Sequence, residues 1–145
     1  MKFANCFLGL TALFLAPQLQ PQSARTAEQP TESEHRRGPN ELEGWTLNYP
    51  FPGRPEDRYP RTLVLSQNGR ILHRFVSQHY IWNWIYWANG RQVAYEDGPP
   101  HFSMQCILAD VATGQVLASS NCFGKLPDDA PPWLQTLEKR SNATQ

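Results

Sequence analysis

The chain has no Cys-x-x-Cys pair, no His-Glu-x-x-His, no Gly-x-Ser-x-Gly and no glycine-rich loop built to cradle phosphate. Each gap removes the short motif of one chemistry: structural zinc, zinc hydrolysis, the nucleophile elbow and nucleotide binding. A basic stripe is also missing. Arg36, Arg37, Arg54, Arg58 and Arg61 fall in irregular stretches instead of on one regular face, so nucleic acid is not an expected partner. Glu96 and Asp97 are adjacent, and on a strand they point to opposite faces, a poor start for acid–base work. No cofactor is implied.

Long apolar runs are scarce too. Lys2 is followed by the run Phe7 to Ala16, about ten residues, which suits a signal-peptide core and is too short to span a membrane. No other segment approaches a span. Residues 1–24 therefore read as a signal peptide cleaved after Ala24, and the mature chain as secreted or periplasmic. Cys6 precedes the apolar run, so a lipoprotein anchor is not supported. Losing Lys2 leaves twelve basic residues against thirteen acidic ones, a balance that points to no charged partner.

Residues 25–40 are polar and contain proline, with almost nothing to bury against the cost of ordering, and read as a disordered linker. Residues 41–140 are enough for one domain, with 141–145 as a flexible tail.

Within that domain three hairpins are legible. In TLVLSQ-NG-RILHRF, Asn68-Gly69 supplies the two positive φ values of a tight turn. Pairing outward sets Leu65 against Leu72, Val64 against His73 and Thr62 against Phe75. In YIWNWIYW-ANGR-QVAYEDG, the turn at Asn89-Gly90 sets Tyr86 against Val93 and Trp84 against Tyr95, with Trp82 near Asp97. In MQCILADV-ATG-QVLASSNC, Asp110 caps turn amides and Gly114 takes a left-handed position, pairing Ala109 with Leu117 and Cys106 with Ser120. Residues 42–50 read as one more strand, and the proline-rich stretch from Arg54 to Pro60 as a loop. After Asp128-Asp129, a short helix ends near Lys139-Arg140, with Trp133, Leu134 and Leu137 as its apolar stripe.

Cys106 and Cys122 remain in the mature chain, and in an oxidising compartment a disulfide is the default. The register sets Cys122 opposite Met104, leaving Cys106 its diagonal neighbour. Diagonal Cβ atoms lie up to ~7–8 Å apart, while a disulfide wants about 3.5–4.5 Å. A bulge or strand end near Asn121 is needed to close that gap.

Functional candidates are few. His79 and His101 fall in loops at strand ends within reach of Glu96 or Asp97, whereas His73 shares a strand face with Val64 and Phe75 and reads as a core or edge residue. Aromatic side chains on a sheet can bind sugars or peptides. Here Trp82, Trp84, Tyr86, Val93 and Tyr95 read as core, since exposing that whole face would create an adhesive patch. Trp87, on the mixed face with Ile81 and Ile85, is the aromatic expected to be exposed or semi-exposed.

Two segments, Trp87-Ala-Asn-Gly-Arg-Gln-Val-Ala-Tyr95 and Ile107-Leu-Ala-Asp-Val-Ala-Thr-Gly114, resemble the turn-then-strand and Asp-x-x-Thr-Gly signatures of a TolB-like or WD40-like β-propeller blade. The resemblance implies a strand order and an inward-facing Val93 and Tyr95, and carries over no catalytic residue. Propellers close with about four or more blades, and this chain holds one such unit. A blade-like meander closed in some other way is therefore implied.

These features predict an exported all-β protein, an antiparallel meander of six or seven strands with a short C-terminal helix. Its expected role is a non-catalytic module binding a protein or glycan through Trp87, His79 and His101. The alternative is a small secreted hydrolase using His79 or His101 with Glu96 or Asp97.

Overall fold

The computed structural model describes residues 29–99 and 103–143. The predicted signal peptide, the first part of the predicted linker, His101 and residues 144–145 lie outside them. The chain is all-β and antiparallel with one helix. Strands β1 (Thr31–Glu32), β2 (Arg36–Arg37), β3 (Leu42–Phe51), β4 (Arg54–Gln67) and β5 (Arg70–Val76) make one sheet. Strands β6 (Tyr80–Trp87), β7 (Gln92–Gly98), β8 (Gln105–Asp110) and β9 (Val116–Asn121) make a second, a four-stranded meander. Helix α1 (Pro132–Ala143) follows. Seven strands are six residues or longer, matching the meander the turns predict.

Two cores give the molecule three layers. Leu42, Leu63, Leu65 and Phe75 of the first sheet meet Ile81, Trp84, Val93, Tyr95 and Ala109 of the second. On the other side of the second sheet, Ala94, Cys106 and Leu108 meet Leu126, Ala130, Trp133, Leu134 and Leu137. The predicted stripe of α1 is thus its buried face, with Leu137 fully enclosed. The helix runs through residues 141–143, where a flexible tail is predicted, because Ser141 is anchored to Glu96.

Three features differ from the sequence expectation, each for a packing reason. Composition predicts a disordered linker over 25–40, yet β1 and β2 both pair with β3, Thr31 against Asn48 and Arg36 against Gly44. Chain-distant contacts supply what the segment itself lacks: His35 stacks on Trp45 with centroids 4.2 Å apart, and Thr46 donates to Ser33 Oγ at 2.9 Å.

The proline-rich stretch from Arg54 to Pro60 is strand, not loop. Pro52-Gly53 turns the ribbon, with Gly53 at a φ of 81°. Tyr49 then opposes Tyr59, and Pro50 opposes Arg58. A two-stranded ribbon has two free edges, and proline's missing donor does no harm where a backbone N faces outward.

Finally, bulges shift all three hairpins. In the third, Cys106 opposes Ser120 as expected, but a shift between Leu108 and Ala109 sets Ala109 against Val116 instead of Leu117. The Asn68-Gly69 turn forms and Gln67 opposes Arg70, but a shift after Leu65 sets Leu65 against His73 and Leu63 against Phe75. The pairs Leu65–Leu72, Val64–His73 and Thr62–Phe75 expected without it do not form. The shift brings Leu63, Leu65 and Phe75 into one core. In β6, Tyr86–Val93 and Trp84–Tyr95 pair as expected, and a shift between Ile81 and Trp84 turns both of those side chains into the inner core. Trp82, expected in the core, is 46 % exposed as a result, while Asn83 is buried and its Oδ1 accepts the Trp84 N–H at 2.9 Å.

The disulfide forms. Cys106 opposes Ser120, and Cys122 donates its N–H to the Met104 carbonyl at 3.0 Å, just past the end of β9 at Asn121. Leaving the ladder there lets the two Cα atoms sit 5.7 Å apart, within disulfide range.

Candidate functional site

The bulge in β6 leaves Trp82 exposed. An exposed indole is ordinarily free to reorient. Here its Nε1–H donates to the Gly98 carbonyl of the neighbouring strand at 2.9 Å, which holds the ring in place. The fixed ring lies beside Tyr80, with centroids 5.3 Å apart and planes inclined at 36°.

Tyr80 starts β6 and touches the first sheet. Its ring meets Tyr59 at 4.8 Å and 62°, and Tyr59 meets Phe51 at 5.7 Å and 71°. Four rings therefore run in unbroken contact from the proline ribbon of one sheet to the edge of the other. The packing is edge-to-face at two of the three steps, the arrangement aromatic quadrupoles prefer. The ribbon end is concave. A groove of about 600 Å³ is lined by Tyr49, Pro50, Phe51, Pro52, Tyr59 and Arg61 among others. Arg54 lies 4.7 Å above Phe51 and Arg61 6.0 Å from Tyr49, so both cations border the aromatic surface. Arg61 is also tied to the Ser77 carbonyl at 3.4 Å through Nε and a terminal nitrogen.

His79 is exposed just before Tyr80 in the connection to β6, with its backbone N–H donating to Ser77 Oγ at 2.8 Å. That hydroxyl in turn donates to Asp97 at 2.5 Å. Glu96 points the opposite way, towards α1, and accepts from Ser141 at 3.2 Å. The two carboxylates thus face apart, and the His79 ring hydrogen-bonds to neither. Trp87 is half-buried and packs against the core beneath α1, on the far side of the second sheet from that sheet's contacts with the first. His73 lies on the inner side of its strand beside Phe75, at 4.6 Å, and covers the Gly114 turn. Among the described residues, no cluster of His, Cys, Asp and Glu is arranged to hold a metal ion.

Sequence reasoning missed the aromatic row because two of its four rings stand in a stretch dominated by proline. A usable signal was present. In Tyr49-Pro-Phe-Pro-Gly the aromatics alternate with prolines up to a Pro-Gly turn, which is strand periodicity beside a hairpin signal. Exposure of Trp82 had no such signal, since a bulge inside a strand leaves the alternation pattern misleading.

Architecture and site together define a two-sheet antiparallel β protein backed by a helix, with an aromatic row crossing from sheet to sheet. No known protein family, curated protein or solved structure is significantly similar to this chain.

Proposed function

We propose that this chain is an exported, non-catalytic binding module that holds its partner along the row Phe51–Tyr59–Tyr80–Trp82. The observation that carries this is the exposed Trp82 ring, fixed by its hydrogen bond and continuous with three further aromatics. A rigid aromatic surface gives large contact area at little entropic cost, which is why Trp and Tyr dominate binding hot spots. The Lys2-then-apolar start of the chain supports export, and a Cys106–Cys122 disulfide suits an oxidising compartment.

The partner class is a protein, engaged through an extended, proline-containing segment. Edge-to-face rings form ridges and a groove, and aromatic-lined grooves dock polyproline-type segments whose shape is already set. The open face of Trp82 is also the kind of surface on which a sugar stacks, so a glycan is the second ligand class. Screening the mature protein against proline-containing peptide arrays and glycan arrays decides between them. Trp82→Ala should weaken any peptide captured at least tenfold, a loss of about 1.4 kcal/mol or more. Trp87→Ala, beneath the helix, should leave it unchanged. Binding indifferent to Trp82→Ala and Tyr59→Ala would overturn the assignment, and capture of glycans alone would replace the peptide with a sugar.

A further inference from the structure

A second concavity lies on the opposite flank of β6, where β2 and α1 approach it. Its volume is about 660 Å³, and four of its nine lining residues are cationic: Arg36, Arg37, Lys139 and Arg140. None of the nine is acidic. The chain as a whole carries thirteen basic and thirteen acidic residues, so this concentration of one sign is a local property of the fold. Walls of low dielectric around charges of one sign focus the field into a cleft and raise the local counter-ion concentration.

The charges come from parts of the chain far apart in sequence, and one of them is firmly placed. Arg36 donates to the Trp84 carbonyl at 3.1 Å, and its guanidinium lies 4.8 Å from the centre of the Trp84 ring. Tyr86 donates its hydroxyl to the Arg36 carbonyl at 3.2 Å. Burial, then the charge of Glu43, pushes the Tyr86 phenol up to about 12, so it remains a donor at neutral pH. Gly38 lies against the Tyr86 ring so closely that a Cβ there would overlap it, which fixes the path of the chain just after β2. Burial first, and the neighbouring Arg140 second, hold the Arg36 guanidinium below its ordinary value; Glu34 opposes them and does not prevail.

Lys139 and Arg140 near the end of α1 have a sufficient explanation in the helix dipole. That explanation does not extend to Arg36 and Arg37, which belong to a strand and line the same cavity. We propose that this cleft binds an oxyanion of the phosphate or sulfate ester class through Arg36, Arg37 and Lys139, with Arg140 lining the same cavity. Guanidinium forks match the paired oxygens of such groups. A cavity of 660 Å³ exceeds a bare anion, and Trp84, Ile85 and Tyr86 line it beside the cations, leaving room for the organic part of the ester. Such an ester is either a soluble molecule or the headgroup of an anionic lipid.

Calorimetric titration of the mature protein with phenyl phosphate reads the first source. Flotation with vesicles of phosphatidylglycerol, against phosphatidylcholine alone, reads the second. Both are done at low and high salt, since attraction at an open site is screened over about 10 Å at 0.1 M ionic strength. The double variant Arg37→Gln/Lys139→Gln alters two exposed side chains and should melt like the parent. It should weaken phenyl phosphate at least tenfold if the ligand is soluble, or abolish phosphatidylglycerol binding if it is a lipid. Arg36→Lys, which keeps the charge and loses the fork, should also weaken binding. Trp82→Ala should leave binding unchanged, which separates this site from the aromatic row. Failure of the parent to bind either probe, or equal binding by the double variant, would overturn the proposal.

Discussion

Glu96 is buried to 7 % exposure beneath α1, an uncomfortable place for a carboxylate. Desolvation raises its pKa above the ordinary value of 4.5, and the hydrogen bond from Ser141 offsets only part of this. The folded state therefore binds the proton more tightly than the unfolded chain. Its contribution to stability is fully present below the ordinary carboxylate range and is lost as pH rises through the folded-state value. Glu96→Gln keeps an acceptor for Ser141 and removes the charge. It should raise the melting temperature at pH 7.5, with the difference from the parent vanishing towards pH 4. Thermal melts at the two pH values check this, and a variant less stable at pH 7.5 would contradict it. Asp110 works in the opposite sense. The Thr113 backbone N–H, then the Thr113 hydroxyl, hold its carboxyl below the ordinary range, so its contribution is lost as pH falls. Here residue chemistry was readable in advance: in Asp-Val-Ala-Thr-Gly the Asp is placed to cap the turn amides. The burial of Glu96 was not, because alternation assigns it a face without saying what covers that face.

Among the elements, α1 has the clearest energetic role. Trp133, Leu134 and Leu137 are at most 6 % exposed, and they cover Ala94, Cys106 and Leu108 of the second sheet. Removing residues 131–145 would leave only Leu126 and Ala130 over that face of the sheet. Burying a side chain of this size contributes about 1.5–3 kcal/mol, against a total of about 5–15 kcal/mol for a typical domain. The truncated protein should lose its cooperative melt and bind a hydrophobic dye. A sharp melt within a few degrees of the full chain would refute that role. The amphipathic pattern of the helix was legible, as were the registers of the first two hairpins close to their turns, since both depend on neighbours in sequence. In the third hairpin a bulge beside the turn set Ala109 against Val116. The bulges after Leu65 and between Ile81 and Trp84 were not legible. Each is selected by the core it fills, placing Leu63 with Phe75 and Ile81 with Trp84. The exposure of Trp82, and with it the aromatic row, is a consequence of the second of these.

For the whole molecule, the disulfide and the proposed export belong together. Cys106 and Cys122 are separated by 16 positions, and a cross-link closing such a loop contributes about 3 kcal/mol in the chain-entropy account. Cys6 lies within the predicted leader. Protein recovered from outside the cytoplasm should therefore begin at Arg25 by intact mass and show no free thiol. A chain retaining Met1, or carrying two reactive thiols, would refute that processing.

Composition and local pattern alone determined the β class, the three turns, the buried stripe of the helix and the pairing of Cys106 with Cys122. Those features depend on periodicity and on conformations that particular residues favour within a few positions of themselves. Tertiary structure alone decided that residues 31–32 and 36–37 become strands, that Trp82 faces outward, that four aromatic rings join across two sheets and that Arg36 and Arg37 meet Lys139 and Arg140. Each of these depends on contact between segments remote in sequence, where the burial gained by a neighbouring element outweighs the preference of the local chain.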